Sequence, residues 1–425
     1  MNKVLIVTYY WPPSGGAGVQ RWLKFSKYLP EFGWEPIILT VDPEYAAYPV
    51  TDFSLNDDLP SSIRVYPTPA INYFGIYRKN KSKIPTAGFA NSIDNTLKGK
   101  IFRFIRGNFF LPDPRKGWNK YAFKKACELI EKEGIINIIS TSPPHSTQLI
   151  GLKIKKKYPA LNWIADLRDP WTDIYYYKQF YPTLISRRID QRFEKSVLKK
   201  ADKIITVGVS LKNLFSSKIK GVEYKTEVIT NGYDEDDFTG ITPIIPAMFT
   251  ITYVGTLSDI YPIDGFLNAV QIFKDKGNEI ILRFVGTVSQ NQKDLIQSKS
   301  GDSILEFIPY VDHPAAIQYM LNTSVLLLII PDHQSNKSII TGKIFEYIAS
   351  GKPIICLGPL DGDAAGIIGN TGYGKTFSHM DSIEISEYLI QLISGKSITQ
   401  KNSNAFYSRR ELTKKIIPLL IIAKS

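Results

Sequence analysis

The feature that most limits how this chain can fold is a recurring one. Short, nearly uninterrupted apolar runs are each followed by Gly, Pro or polar residues and then by a helix-period pattern. The first series is Lys3 to Thr8 (KVLIVT), Glu35 to Thr40 (EPIILT), Ile135 to Ser140 (IINIIS), Asn162 to Asp166 (NWIAD), Lys203 to Val207 (KIITV) and Thr226 to Thr230 (TEVIT). The second is Thr250 to Val254 (TITYV), Ile280 to Val285, Leu305 to Ile308, Ser324 to Ile330 (SVLLLII) and Pro353 to Leu357. A strand with one wet face alternates in polarity, whereas a strand apolar on both faces is covered on both, as in a parallel sheet between helices. Two such series predict an α/β chain of two doubly wound, Rossmann-like domains facing a central cleft. The Pro-rich, aperiodic TGITPIIPAM puts the linker near residues 239–247, giving domains 1–240 and 241–407. The tail from Asn404 to Ala423 turns from polar to apolar and predicts a terminal helix, kinked at Pro418, whose 408–425 portion packs back on the first domain.

Composition narrows the partners. A chain of 425 residues exceeds what one core usually serves. The net charge of +12 with 12% aromatic residues favours an anionic partner, either a diphosphate substrate or an acidic lipid surface. No nucleic-acid-binding motif is present, so no nucleic-acid partner is expected. The two cysteines, Cys127 and Cys356, lie far apart in apolar patterns, as in a reducing compartment, and the four histidines are scattered, so no metal is expected. MNKVLIVTYY is too short and too soon polar for a signal peptide, and no run reaches the roughly 20 apolar residues of a spanning helix. The expectation is a soluble or peripheral protein. Residues from about 70 to 118 interleave aromatics with Lys and Arg. Within them, 95–110 predicts a basic amphipathic helix on an anionic membrane, with Leu97, Ile101, Phe102, Phe104, Ile105 and Phe109 on one broad face flanked by Lys98, Lys100, Arg103 and Arg106. A buried helix with snorkelling basic residues fits the same pattern.

Thr341 to Leu357 (TGKIFEYIASGKPIICL) carries the sharpest chemical signal. Ile344, Phe345, Ile348 and Ala349 form a buried helical face, and Gly351 with Pro353 ends the helix. Lys343 stands in the first turn, where a cation opposes the helix dipole. A bound phosphate removes that conflict, and Glu346, one turn on, is placed to accept sugar hydroxyls. The combination points to a nucleotide-sugar site. A surface Lys343–Glu346 pair at i, i+3 explains the same residues without a ligand.

Three other strand-end loops are candidates. YYWPPSGGAG after the first strand places Gly15 and Gly16 before a helix. The dinucleotide fingerprint fails there, because its third glycine falls on Arg21. His145 ends TSPPH, and Arg168 and Asp169 follow the strand NWIAD, on the sheet edge where open α/β proteins bind ligands. A surface histidine, a helix-capping Asp169 or an Arg168–Asp169 pair are the plainer readings.

With these pieces in place, the chain resembles the family-four retaining glycosyltransferases of the GT-B type, bacterial members that build surface polysaccharide. Tyr9 to Arg21 (YYWPPSGGAGVQR), Ala165 to Trp171 (ADLRDPW), Val228 to Asp234 (VITNGYD) and Thr341 to Ile355 (TGKIFEYIASGKPII) carry the likeness. The resemblance implies transfer of a sugar from a nucleotide diphosphate sugar, a co-substrate, to a lipid-linked or glycan acceptor, without a cofactor. It implies a bacterial cytoplasmic protein on the inner face of the membrane. Gly15, Gly16, Gly255, Thr256, Tyr310, Val311, Ser338, Thr341, Gly342, Lys343 and Glu346 would form the donor side. His145, Asp169 and Lys343 would be catalytic, with Arg168 and Asp169 toward the acceptor. Glu346 matches the second acid of the family's Glu-x7-Glu motif, but the first position is Ser338. After Gly255 the run TLSDIYP lacks the family's usual cations, leaving Lys343 to supply that charge. A non-catalytic partner subunit, a nucleotide-sugar 2-epimerase and a nicotinamide-dependent dehydrogenase are the competing functions.

Overall fold

The computed structural model describes residues 1–56, 58, 60, 62–73, 96–333, 335–395 and 404–422, so part of the basic aromatic stretch lies outside the described residues. The chain forms two compact units, Met1–Thr230 with the segment from Arg409 onward, and Asn231–Ser408.

The first unit holds β1 (Asn2–Val7), β2 (Trp34–Val41), β3 (Arg64–Thr68), β4 (Asn137–Ser142), β5 (Asn162–Leu167), β6 (Lys203–Thr206) and β7 (Thr226–Val228). They pair in the order β3-β2-β1-β4-β5-β6-β7, every pair parallel. Leu5 and Val7 enter the core on one face of the sheet, and Val4 and Ile6 the core on the other. That is the double burial that an unbroken apolar run requires.

The second unit repeats the plan with β8 (Thr250–Val254), β9 (Ile281–Val285), β10 (Leu305–Ile308), β11 (Val325–Ile329), β12 (Ile354–Leu357) and β13 (Gly374–Phe377). Its order is β10-β9-β8-β11-β12-β13, again all parallel. In both sheets the order reverses once, between β1 and β4 and between β8 and β11. The loops leaving those strands therefore open at a switch point, where no crossover covers the edge.

Three expectations are corrected. The units divide at Thr230/Asn231, ahead of the expected linker at 239–247. Past Thr230, Tyr233 joins the second unit's core, Phe238 and Ile241 pack against it, and Tyr233 bridges to Ser408. The tail is not one kinked helix: Arg409–Ile416 is helical, and Pro418 sits in a separate 3-10 turn, Ile417–Leu419. Two further strands are present, β3 and β13, both at sheet edges. Their sequences, RVYPT and GKTF, lack a continuous apolar run and keep partly exposed positions.

One buried interaction fixes the first unit's switch point. Arg21, in the helix Ala17–Tyr28, and Asp166, in β5, are both fully buried and 3.1 Å apart. Arg21 also donates to the carbonyls of Ile229 and Thr230, each at 2.8 Å. Asp166 accepts from Trp22 Nε1 and Thr141 Oγ1, each at 2.7 Å. Removing one partner of such a pair leaves an uncompensated charge and costs about 3–5 kcal/mol. Asp166→Ala should destabilise the first unit by that amount, whereas Arg21→Met with Asp166→Leu should cost less. All six tryptophans lie in this unit, so urea denaturation followed by their fluorescence reads it alone.

Candidate functional site

In the second unit, Lys343 begins the helix Lys343–Ala349. That helix has seven residues, so its dipole is a minor contributor. The lysine does not face the dipole unaided. Its Nζ lies 4.1 Å from the centroid of the Tyr253 ring, a cation–π contact at the end of β8. Tyr253 is held in turn by its hydroxyl, which donates to the Thr256 carbonyl at 2.7 Å. The ammonium also occupies the space beside Gly255: a Cβ there would lie 2.9 Å from Nζ, and the Gly255 φ of 121° already suits only glycine. Burial lowers the Lys343 ammonium to about 7, with the Glu346 carboxylate opposing the shift. A lysine on this edge is therefore poised between its charged and neutral forms at ordinary pH.

Glu346 does not pair with Lys343. Its Oε1 lies 3.0 Å from His313 Nε2, so the i, i+3 surface pair is not formed. His313 opens the helix His313–Leu321 behind an Asp312 cap. Sequence reasoning assigned it nothing, and the only available signal was its position just after the strand end at Pro309-Tyr310-Val311. Tyr310 is exposed, and Val311 packs on the core. The Ser338 hydroxyl donates to the Ser335 carbonyl at 3.1 Å within the turn Asn336–Ser338. Thr341 Oγ1 is buried with no hydrogen-bond partner among the described residues. Gly342, next to it, is exposed, with open space where a side chain would be.

In the first unit, the loop after β1 ends at Gly16, whose φ of 90° requires glycine. Gly16 is exposed before a helix with no side-chain cap and no acid in its first turn, and Gly15 is pinned by a bond from its N–H to the Val50 carbonyl. Arg168 is buried, donating to the Ser142 carbonyl and the Gly18 carbonyl, each at 2.9 Å. It thus joins the end of β4 to the glycine-loop helix. Asp169 neither caps a helix nor ion-pairs with Arg168 among the described residues. Burial raises its carboxyl, Arg168 opposes the shift, and Asp166 adds to it.

His145 is no plain surface residue. Its ring stacks on Trp171 at 4.8 Å, 11° from parallel. Burial depresses its imidazole to about 4, so it is neutral at pH 7, and its Nδ1 has no partner. Asp113 accepts from the Ser146 N–H and hydroxyl at 2.8 and 2.9 Å, fixing the turn that carries His145. Asp190 accepts from Trp171 Nε1 at 2.7 Å and is raised by burial to about 7. Sequence reasoning missed both acids, since neither stands near a strand end of its own.

The chain contains two Asp-x-Asp triplets that the no-metal expectation passed over. Asp234 accepts from the Asp236 N–H in a turn, and Asp361, ahead of Asp363, pairs with Lys337. Among the described residues no group of three His, Cys, Asp or Glu is placed to share a metal.

No protein-family model matches the sequence, and no curated protein matches it. Solved structures do match its fold over nearly the full length. One is Alr3699/HepE of Anabaena in complex with UDP-glucose, with a TM-score of 0.56, 12% identity and coverage of 98% of each chain. A second is the lipopolysaccharide outer core galactosyltransferase WaaB, with a TM-score of 0.56, 12% identity and coverage of 99% of each chain. A third is a putative UDP-N-acetylglucosamine 2-epimerase of Listeria monocytogenes, with a TM-score of 0.55, 10% identity and coverage of 98% of this chain and 94% of that one. The chain has the two-sheet α/β fold of the GT-B glycosyltransferases.

Proposed function

We propose that this protein is a retaining glycosyltransferase that uses a nucleotide diphosphate sugar and acts in bacterial surface-polysaccharide synthesis. The observation that carries this reading is Lys343, an ammonium held against Tyr253 and the side-chain-free Gly255 at the second unit's switch point. The donor diphosphate would lie there, with the Thr341 hydroxyl adding a donor. Glu346, turned by His313, would accept from the ribose. The fold likeness to a protein bound to UDP-glucose and to a galactosyltransferase supports the class.

In the reaction proposed, the acceptor hydroxyl oxygen bonds to the anomeric carbon as the bond from that carbon to the β-phosphate oxygen breaks. The hydroxyl proton passes to the departing phosphate on the same face. No protein nucleophile is needed. The protein would supply stabilisation for the charge that grows on the diphosphate, through Lys343. In the first unit, His145 would donate to or accept from a sugar hydroxyl, and Asp169 would orient the acceptor. Because His145 is neutral, it can serve as donor or acceptor without adding charge.

The acceptor proposed is lipid-linked or a glycan, met at the membrane surface. Leu97, Ile101, Phe102, Phe104 and Phe109 of the helix Leu97–Phe109 are exposed, unlike the core residues of a buried helix. Exposed Lys98 and Lys100 lie beside them. No helix among the described residues is long and apolar enough to cross a membrane.

A nucleotide-sugar 2-epimerase is the second reading, because such a protein shares the fold to a similar degree. It requires paired bases at the sugar, and His313 with Glu346, one turn from Lys343, is a candidate pair. A product assay separates the two, since an epimerase converts donor sugar with no acceptor present.

Three outcomes are expected. Lys343→Ala should raise the transfer barrier by about 2–4 kcal/mol, read as kcat under saturating donor, and wild-type turnover would remove Lys343 from the mechanism. Diphosphate binding should also depend on pH. The free lysine titrates near 7 and a bound anion raises it, so binding above that pH takes up a proton. Affinity should then fall as pH rises from about 7, by up to about tenfold per unit, and be flat below it as far as Lys343 is concerned. Calorimetry with a nucleoside diphosphate across this range checks the slope. Finally, liposome binding should require anionic lipid and weaken with salt over the Debye-length range, whereas binding indifferent to both would end the membrane assignment.

A further inference from the structure

The helix Leu97–Phe109 is turned the wrong way for a soluble protein. Leu97, Ile101 and Phe104, at i, i+4 and i+7, are 75%, 50% and 41% exposed. Gly99, Arg103 and Arg106 repeat the same spacing on the opposite side, where Gly99 and Gly107 are buried. A helix that half-buries its arginines and shows its aromatics inverts the usual arrangement. The sequence expectation placed Arg103 and Arg106 at the flanks, toward lipid head groups. Instead Arg106 lies with its guanidinium 3.8 Å from the Phe180 ring centroid. Gly107 makes that approach possible, because any side chain there would collide with the Phe180 backbone.

Arg106 points into a cavity of about 80 Å³ that also takes in Asp113, Arg115, His145, Trp171 and Asp190. That is room for several ordered waters, or for a small charged group in their place. The face of the guanidinium is covered by Phe180. Arg106 makes no hydrogen bond or ion pair among the described residues, so its edge donors remain for a ligand. His145 Nδ1, buried and without a partner, lines the same cavity. Asp113 and Asp190 partly offset the charge on Arg106, but neither makes an ion pair with it among the described residues. Asp113 is engaged by Ser146 and by the Arg115 N–H, and Asp190 accepts from Trp171. Burial disfavours a guanidinium that no carboxylate contacts directly, and a planar fork with free edges matches a phosphate oxygen pair.

We propose that this cavity binds the phosphate or diphosphate head group of an amphiphile whose chain lies along the outward face of Leu97, Ile101 and Phe104. The helix then serves both ends of one ligand, the arginine inward to the anion and the apolar side outward to the lipid chain. This rests on the reading of the protein as acting on a lipid-linked acceptor, and it names the chemistry that would recognise that acceptor.

The test is binding, so it does not depend on transfer taking place. The full chain carrying Lys343→Ala, which disables the proposed donor site, is titrated with farnesyl diphosphate, farnesol and inorganic diphosphate. Tryptophan fluorescence is the readout, since all six tryptophans lie in the first unit and Trp171 lines the cavity. Farnesyl diphosphate should bind at least about tenfold more tightly than either fragment, as expected when both ends contribute. Arg106→Gln should reduce farnesyl diphosphate to the affinity of farnesol. Ile101→Ser with Phe104→Ser, both exposed and so without a packing cost, should weaken farnesyl diphosphate and leave inorganic diphosphate unchanged. Inorganic diphosphate binding as tightly as farnesyl diphosphate would reassign the cavity to a soluble phosphate and overturn the lipid assignment. Unchanged farnesyl diphosphate binding in a folded Arg106→Gln protein would overturn the head-group site itself. Loss of transfer activity with this pattern intact would count against the transferase reading and not against the cavity.

Discussion

The ion pair between Arg21 and Asp166 is the constraint on which the first unit's site depends. Two charges at zero exposure are tolerable only when their donors and lone pairs are met, and here they are met by backbone carbonyls of the chain leaving β7 and by Trp22 and Thr141. The pair joins the helix behind the glycine loop to β5, and Arg168 adds a second tie from β4 to the same helix. Gly16 directly precedes that helix, and the loops bearing His145 and Asp169 leave β4 and β5, so their positions follow from a network none of them belongs to.

The second unit solves a related problem with a softer interaction. Lys343 begins a short helix, where the peptide dipoles oppose it, and its ammonium moves aside onto Tyr253. Neither the aromatic face nor Glu346, turned to His313, restores what water would provide, which is why the ammonium is held down near 7. The proposed diphosphate site rests on this ammonium. In the first unit Arg106 is in a similar state, its face covered and its edges open.

Much of the fold was legible in sequence because parallel strands are buried on both faces and so announce themselves as unbroken apolar runs. β1, β2, β4, β8, β11 and β12 are of this kind. β3 and β13 were not legible, since RVYPT and GKTF carry no such run. The linker was misplaced for a comparable reason. Proline and aperiodicity mark where regular structure stops, whereas the units divide where packing changes hands, at Tyr233 and Ser408. Residue type and strand-end position were enough to single out His145, Lys343 and Glu346 as candidates. Their partners Trp171, Tyr253 and His313 were not selected, because stacking and pairing across elements leave no spacing signal.

The sequence by itself determined that this chain is a doubled α/β protein with basic and acidic residues at strand ends, because hydrophobic periodicity is a local property of the backbone. Only the tertiary structure decided which of those residues are engaged and which are open. Arg21 and Arg168 are consumed by buried networks, Glu346 faces His313 and not Lys343, and Arg106 faces a cavity and not the membrane. A side chain's availability depends on what other segments bring to it, and those segments are distant in sequence.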